Sequence, residues 1–355
     1  MAIRDASRQD LFRLYTEVFQ GETDRIPLIV SPPCAPEPPR VALAETPETA
    51  VVQAAEAQRP KAEAGTDWIP TVNISWYQCI VVPSVFGAEP VAPAGSEPIV
   101  KPVFRSIDEA AAAGAPPLEG PVVEQMLQTL ETAILVLPED YWLSFPASAS
   151  PFDLAQLLLP GDVFLMSLRS RPDAAAEFLG NLTSLCIEVT GLVRSRLAGT
   201  GSEFVTNRGL CYPGLRLPCD ALVNLSPDLI RDIALPIFRR FGERFGRLCI
   251  HYCTKPAASE HVLPVLCECD CVGAVDTWQG PDAFLGDGAP ARMQHRVALI
   301  FDADLTTEGN MDSLVAWPPV RDVPRRNGRG LVLQSEAASV EEAIRIYALW
   351  RAKTG

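Results

Sequence analysis

Residues 220–253, DALVNLSPDLIRDIALPIFRRFGERFGRLCIHYC, decide the fold predicted for this chain. Their pattern predicts a short apolar strand over 220–225, a helix over 226–246 and a second apolar strand over 247–253. Ser226 followed by Pro227 is a typical helix start. A strand, a helix and a second strand in this order are typical of a parallel sheet.

The same alternation continues on both sides of this unit. Further strands are predicted at 25–33, 67–75, 141–145, 272–278, 296–302 and 330–334. Short apolar strands alternating with helices, in this number, predict an α/β fold: one closed (β/α)8 TIM barrel over residues 1–355. Within it we expect an N-terminal helical extension over 1–24, and a segment rich in Pro, Gly and Ala over 83–121 that forms an irregular insertion or a lid.

Composition limits the classes of partner. The 355 residues carry a formal net charge of −14, which argues against nucleic-acid or membrane partners, since phosphate-binding surfaces need excess Lys and Arg. No signal peptide and no membrane span are predicted, so we expect a soluble, cytoplasmic protein acting on a small molecule. The 10 cysteines are then expected to be thiols, and a homodimer is the default assembly.

The motif at the end of the last strand in this unit, His251-Tyr252-Cys253, raises the question of a metal site. Residues i and i+2 of a strand project to the same side, so His251 and Cys253 are predicted to lie together. Imidazole nitrogen and thiolate sulfur are both zinc ligands. Packing of the two side chains in a core is the alternative, since H-x-C alone specifies only two positions.

The sequence CECDC at 267–271 also resembles a ligand cluster but lacks the usual metal-binding spacing. Three cysteines at alternate positions share a face only in extended chain, and this segment follows a predicted helix. We therefore expect packing or a loop. The chain contains neither a P-loop nor a dinucleotide-binding glycine motif.

In an α/β barrel the chemistry lies where the strands end. The predicted strand ends carry polar, aromatic and metal-ligating side chains: Asn73, Trp142, Asp220, His251, Cys253, Asp276, Trp278, Asp302 and Glu336. Of these, Asp220 and Asp276 are the candidate catalytic groups. Asn73, Trp142, Trp278 and Asp302 are the candidate cofactor-binding residues.

Three stretches together resemble the C-terminal half of the uroporphyrinogen decarboxylase superfamily: PCDALVNLSPDLIRDIALPIFRRFGERFG, RLCIHYCTKP and VLPVLCECDCVGAVDTWQGP. Weaker similarity covers DRIPLI and VPSVFGAEP. The resemblance implies a (β/α)8 barrel, in agreement with the alternation of strands and helices. The superfamily contains porphyrinogen decarboxylases and zinc-dependent methyltransferases that act with corrinoids.

The two branches make different demands. The decarboxylases have an arginine-containing N-terminal loop, whereas the matching stretch IPLIVSPPCAPEPPR has no arginine before Arg40. The methyltransferase branch is similar at H-x-C, and the resemblance implies zinc bound by His251 and Cys253, with a corrinoid on a partner protein. The third ligand of that branch is a cysteine near the last strand. Here Glu336 is the nearest equivalent, and we expect it to complete the site.

Three hypotheses follow. The first is methyl transfer to a thiol bound at zinc, with Asp220, Asp276 and Asp302 orienting ligands or substrate. The second is a metal-free decarboxylase in which Asp220 or Asp276 binds a substrate N–H group. The third is a non-catalytic barrel whose pocket is lined by Trp76, Trp142 and Trp278.

Overall fold

A computed structural model describes residues 8–23, 25–34, 46–91, 98–146, 148–253, 259–278, 297–317, 320 and 330–354. Within these ranges the strands follow one another along the chain as β1 to β10. They are β1 Leu28–Ser31, β2 Thr71–Val72, β3 Pro90–Val91, β4 Ile99–Val100, β5 Trp142–Leu143, β6 Leu215–Pro218, β7 Leu248–His251, β8 Val272–Asp276, β9 Ala298–Asp302 and β10 Leu331–Glu336.

The parallel strands follow the order of a barrel. Six of them form one sheet in the order β1-β10-β9-β8-β7-β6, and β2 pairs in parallel with β5. Segments before β2 and after β5 contact the six-stranded sheet through backbone hydrogen bonds, from Asp67 N–H to Leu28 (3.1 Å) and from Ser150 N–H to Pro218 (2.9 Å). The predicted α/β fold is confirmed and is barrel-like. Among the described residues, however, continuous strand pairing does not close the ring.

Helices α1 to α14 connect and flank these strands. They are α1 Arg8–Gln20, α2 Pro47–Ala57, α3 Arg59–Glu63, α4 Val81–Val85, α5 Ile107–Ala112, α6 Pro121–Val136, α7 Pro151–Leu158, α8 Val163–Ser170, α9 Pro172–Leu197, α10 Pro227–Leu229, α11 Leu235–Phe245, α12 Val262–Leu266, α13 Glu308–Ala316 and α14 Val340–Thr354. A π-helical turn, Ile230–Ala234, joins α10 to α11. Short 3₁₀ helices lie at Ser75–Cys79, Ser202–Phe204 and Asp220–Asn224.

A small inner core fills the space between the strands. Cys249 of β7, Ala274 of β8 and Ile300 of β9 are buried in it together with Tyr15 and Val18 of α1. Helix α1 lies at the amino-terminal ends of the strands: a Cβ on Gly330, just before β10, would be 2.4 Å from Val18 Cγ1. The carboxyl ends of the strands therefore form the end of the barrel at which α1 does not pack.

A larger outer core lies between the helices and the sheet, and α9 packs one of its faces into this core. By length and composition α9 is apolar enough to cross a membrane, and half of its most apolar window is buried inside the protein. Phe178, Leu182 and Val189 on that face pack into the outer core. Such a half-buried helix is typical of the core of a soluble α/β protein.

The predicted strand at 220–225 is wrong, and this changes the position of Asp220. The strand is β6, Leu215–Pro218, and the chain then turns into the 3₁₀ helix Asp220–Asn224. The partly buried Asp153 carboxylate accepts the N–H groups of Asp220 and Ala221, which holds this turn. Asp220 thus follows a barrel strand instead of preceding one.

The segment 83–121, predicted as irregular, contains short regular elements within its described part. Strands β3 and β4 pair antiparallel, and α5 begins with a side-chain cap from Ser106 to the N–H of Glu109. Its function as a lid stays a prediction. The N-terminal helical extension corresponds to α1, Arg8–Gln20.

Candidate functional site

Strands β6, β7 and β8 position the candidate site at their carboxyl ends. Pro218 pairs with His251, and His251 pairs with Asp276, so these residues lie side by side across the sheet. Asp220 lies two residues after Pro218, and Cys253 lies two residues after His251. Parallel strands end at one edge, which is where barrel active sites are built.

Three side chains at this edge offer metal ligands. The ligand atoms of Asp220, His251 and Cys253 all lie within 4.8 Å of one another. Cys253 Sγ is 3.2 Å from His251 Nε2, and Asp220 Oδ1 accepts the backbone N–H of Cys253 at 2.7 Å. Nitrogen, sulfur and carboxylate oxygen together are the donor types of a zinc site, so the residues present fit zinc.

Hydrogen bonds indicate which nitrogen of His251 carries the proton. Trp278 Nε1–H donates to His251 Nε2 at 3.0 Å, so Nε2 is the acceptor and the proton is on Nδ1. Nδ1 lies 3.3 Å from Asp276 Oδ2. Burial, followed by the charge of Arg216, lowers the pKa of His251. The ring is therefore neutral near pH 7, with its lone pair directed at Cys253 and Trp278.

Asp276 is held by two arginines. Arg208 Nη1 donates to Oδ1 at 2.5 Å, and Arg216 Nε donates to Oδ2 at 2.6 Å. Burial raises the pKa of this carboxyl, but Arg208, Arg216 and His251 together hold it well below its usual range. Asp276 is thus a buried carboxylate whose charge faces the Nδ1 side of the His251 ring, the side on which metal-bound histidines have their partners.

Arg208 connects this carboxylate to neighbouring strands. Its side chain is fully buried and also donates to Asp302, to Gln334 Oε1 and to the carbonyl of Thr277. Its guanidinium carbon lies 4.0 Å from the ring centre of Trp278. Burial raises the pKa of Asp302 to about 6 despite Arg208. One arginine thus ties the ends of β8, β9 and β10 together.

The thiol of Cys253 is protonated when no cation is present. Burial, followed by the charges of Asp220 and Asp276, raises its pKa to about 12. A thiolate is the form that binds metal, so metal binding at Cys253 must release a proton. Metal affinity should consequently increase with pH.

Asp153 supports the site from below Asp220. Its carboxylate accepts the N–H of Ala221 at 2.8 Å and that of Asp220 at 3.2 Å, and Ser150 Oγ lies 2.9 Å away. Burial, followed by the charge of Asp220, raises the pKa of Asp153 to about 7. Sequence reasoning missed this residue, although the Ser-Pro helix start SPFD at 150–153 is a capping signal.

The raised pKa of Asp153 makes stability depend on pH in the metal-free protein. Unfolded Asp has a pKa of about 3.9, so between about pH 4 and about pH 7 only the folded chain keeps this proton. The free energy of unfolding should fall across this window as pH rises, by roughly 2–4 kcal/mol from this group. Asp153→Asn should remove that part of the slope in urea unfolding. An unchanged slope, equal to that of the exposed control Asp228→Asn, would contradict the assignment.

The structure places the other predicted residues as follows. Trp278 and Asp302 belong to the site through His251 and Arg208. Asn73 lies after β2, where its Oδ1 accepts Ser144 Oγ–H at 3.0 Å. Trp142 is buried in the inner core against Phe12 of α1 and does not reach the ligand group. The side chain of Trp76 lies outside the described residues.

Glu336 is exposed at the end of β10, and among the described residues it is not part of the ligand group. Strands β9 and β8 separate β10 from β7, so the structure brings Asp220 into the group in place of Glu336. The negative charge of Glu336 instead adds to the raised pKa of Asp302.

A shallow, open pocket with a cavity volume of about 20 Å³ adjoins the site between β5 and β6. Gln78, Phe145, Asn207, Arg216 and Pro218 contribute to its walls. Arg216 is thus shared between the pocket and Asp276. Sequence reasoning did not select Arg208 or Arg216, because neither stands at a predicted strand end. Arg216 lies inside YPGLRLP, whose alternating Leu215 and Leu217 signal the strand.

The comparisons with known proteins add a likeness in fold. A scan against family models and a search of curated proteins return no match. Among solved structures, the chain is similar to a methyltransferase from Methanosarcina mazei, with a TM-score of 0.61 and 14% identity. The alignment covers 97% of this chain and 98% of that chain. Such low identity shows a shared fold, and similarity to the uroporphyrinogen decarboxylase superfamily stays a resemblance in sequence.

Proposed function

We propose that this chain is a zinc-dependent methyltransferase that moves a methyl group between a corrinoid carrier and a thiol or related acceptor. The observation that carries the proposal is the grouping of His251, Cys253 and Asp220 at the carboxyl ends of the strands. The fold shared with a methyltransferase over nearly the whole chain supports it.

His251 Nε2, Cys253 Sγ and a carboxylate oxygen of Asp220 would hold the ion, in a set of three protein ligands typical of catalytic zinc. When bound, zinc would lower the pKa of a thiol acceptor and so favour a thiolate nucleophile near neutral pH. Trp278 would give up its hydrogen bond to His251 Nε2 on loading. Its side chain is 48% exposed, which leaves it room to move.

The remaining residues hold the ligands and the substrate. Asp276 keeps the proton of His251 on Nδ1, so that Nε2 presents its lone pair. Arg216, which lines the adjoining pocket, is the cation that would orient an acidic group on a small acceptor. Asp153 holds the turn that carries Asp220. In this proposal Asp220 is itself a ligand and Asp276 positions one, and neither transfers a proton to the substrate.

The metal-free decarboxylase has less support. That hypothesis requires a carboxylate free to bind a substrate N–H group, and Asp276 does not meet the requirement because both of its oxygens accept hydrogen bonds from arginines. It therefore depends on the exposed Asp220 alone. The non-catalytic barrel required a shared tryptophan pocket. Trp142 is buried against α1 and Trp278 lies beside His251, so these two rings do not line one pocket.

A corrinoid attached to a partner protein would approach the carboxyl ends of the strands, because α1 lies against the opposite ends. The same proposal takes the 10 cysteines as thiols and places the protein in the cytoplasm, where thiols stay reduced. A homodimer is its default assembly.

The test measures methyl transfer from free methylcobalamin to a panel of small thiols. The loss of methylcobalamin absorbance reports the rate. Chelation should remove the activity, and added zinc should restore it. Cys253→Ser should lower the rate about 100-fold or more, because a metal ligand is lost. Cys34→Ser, which changes a thiol remote from the ligand group, should keep the parent rate. Full turnover after exhaustive chelation would sink the proposal and favour a metal-free reaction.

A further inference from the structure

Two cysteines of the CECDC segment form a second pair of sulfur atoms. Cys269 and Cys271 lie in the connection from α12 to β8, and their Sγ atoms are 3.0 Å apart. Sequence reasoning expected packing or a loop here, since alternate residues share a face in extended chain. The segment is a turn, and the turn itself brings the two thiols to one side.

Backbone hydrogen bonds fix this turn. Val272 N–H donates to the Cys269 carbonyl at 3.0 Å, and Leu248 N–H donates to the Cys271 carbonyl at 2.7 Å. The first bond closes the turn over 269–272, and the second ties Cys271 to the start of β7. The thiol pair is thus held in place by the sheet, with little chain entropy left to lose when the sulfurs join.

A glycine on α11 leaves room for the pair. A Cβ on Gly242 would lie 2.6 Å from Cys271 Cβ and 3.3 Å from its Sγ. Cys269 is buried at 2% exposure, whereas Cys271 is partly exposed. A small reagent can therefore reach Cys271 first, with Cys269 directly behind it.

The electrostatics of the pair favour one thiolate. The hydrogen bond from Cys271 lowers the pKa of Cys269 to about 6, and the charge of Arg239 on α11 contributes. The same hydrogen bond raises the pKa of Cys271. One proton is thus shared between two sulfurs near neutral pH, and thiolate character is what makes cysteines reactive toward disulfides.

We propose that Cys269 and Cys271 are a redox-active pair that closes reversibly into a disulfide, with a low-molecular-weight disulfide as the oxidant. The proton shared by the pair moves to Cys269, and the partly exposed Cys271 sulfur, now the thiolate, attacks the disulfide RSSR and expels one thiolate RS⁻. Cys269 then attacks the Cys271 sulfur, loses its proton and expels the second RS⁻. In total, two protein thiols and RSSR give one protein disulfide and two RSH, so the pair is oxidised and RSSR is reduced.

This site is independent of the proposed zinc centre. The pair lies before β8 and Asp276 lies at its end, so the length of the strand, roughly 15 Å, separates them. Loss of zinc binding would leave the thiol pair in place. Conversely, if the thiol pair does not form a disulfide, zinc binding is unaffected.

The test uses the folded full-length chain in glutathione buffers of increasing disulfide content, with acid quenching and alkylation of free thiols. Cleavage after Glu268 gives a peptide that starts at Cys269 and contains only the two cysteines of the pair, separate from Cys267. The expected result is loss of both alkyl labels from this peptide, with no glutathione attached. Oxidation should occur at a disulfide content about tenfold lower than in the urea-unfolded chain, since the fold holds the thiols together.

Three variants assign the roles. Cys269→Ser should stop at a glutathione adduct on Cys271, and Cys271→Ser should leave Cys269 labelled. Cys267→Ser is the matched control, and it should oxidise like the parent chain. The proposal is overturned if the folded parent keeps both labels, if it carries glutathione on each cysteine, or if it oxidises no more readily than the unfolded chain.

Discussion

Replacing His251 by alanine is expected to remove stoichiometric zinc from the chain, with a loss in affinity of about 100-fold or more. His251 Nε2 is within reach of both other ligand atoms, and its Nδ1 lies 3.3 Å from the Asp276 carboxylate. Cys253→Ala should have the same effect, since a thiolate ligand is lost. Zinc content after dialysis, and competition with a chromophoric chelator, measure both losses.

The matched control is His261→Ala. His261 is partly buried and lies 2.8 Å from the carbonyl of Leu225 through its Nε2, so the variant also removes an imidazole and a hydrogen bond. It should retain one zinc per chain with unchanged affinity. If His251→Ala and His261→Ala bind zinc equally, any zinc on the chain lies elsewhere and the proposed centre is wrong.

Replacing Arg208 by methionine is expected to lower the free energy of unfolding by about 3–5 kcal/mol. The change keeps much of the volume of the side chain but removes every donor that it offers. Asp276, at 1% side-chain exposure, would keep Arg216 and lose Arg208, and Asp302 and Gln334 would lose their partner. A buried charge that loses its partner is among the largest single costs in a folded chain. Urea unfolding at pH 7 measures the difference.

Arg231→Met is the matched control. Arg231 makes a two-point contact with Glu268 at 2.9 Å, but both side chains are solvent-exposed, so the loss should be far smaller. If Arg208→Met were as stable as Arg231→Met, Asp276 would not depend on Arg208. Under conditions in which Arg208→Met remains folded, the variant should also bind zinc more weakly. The reason is that Arg208 would no longer hold Asp276 beside the imidazole of His251.

The sequence was sufficient for the strand that carries H-x-C. The run LCIH follows an amphipathic helix, and all four of its residues are buried in the structure. A short apolar run in that position is typical of a buried strand. The prediction that His251 and Cys253 lie together is consistent with the 3.2 Å distance between Cys253 Sγ and His251 Nε2. The local apolar pattern predicts the strand, and strand geometry predicts that His251 and Cys253 lie on the same side of it.

The third ligand was not predictable in the same way. The apolar run ALVNL was read as a strand, whereas the strand is the short LRLP before it and Asp153 draws 220–221 into a turn. Asp153 lies 67 residues earlier, so only the folded chain brings it to this position. Glu336 was selected from a position near the last strand, and strand order places it away from β7.

The charged network was missed for a related reason. Arg208 stands in an irregular stretch of sequence, and its partners Asp276 and Asp302 follow 68 and 94 residues later. No local pattern marks an arginine that is paired across several strands. The individual acids were predicted as strand-end residues, but their common partner required the tertiary structure.

The most direct test of the zinc centre is X-ray absorption at the zinc edge on the anaerobically purified chain. We expect one sulfur neighbour at about 2.3 Å and the remaining neighbours as nitrogen or oxygen at about 2.0–2.2 Å. The sulfur should vanish in Cys253→Ala, whereas Glu336→Ala should leave the spectrum unchanged. A zinc with no sulfur neighbour, or a chain that takes up no zinc, would contradict a centre built from His251, Cys253 and Asp220.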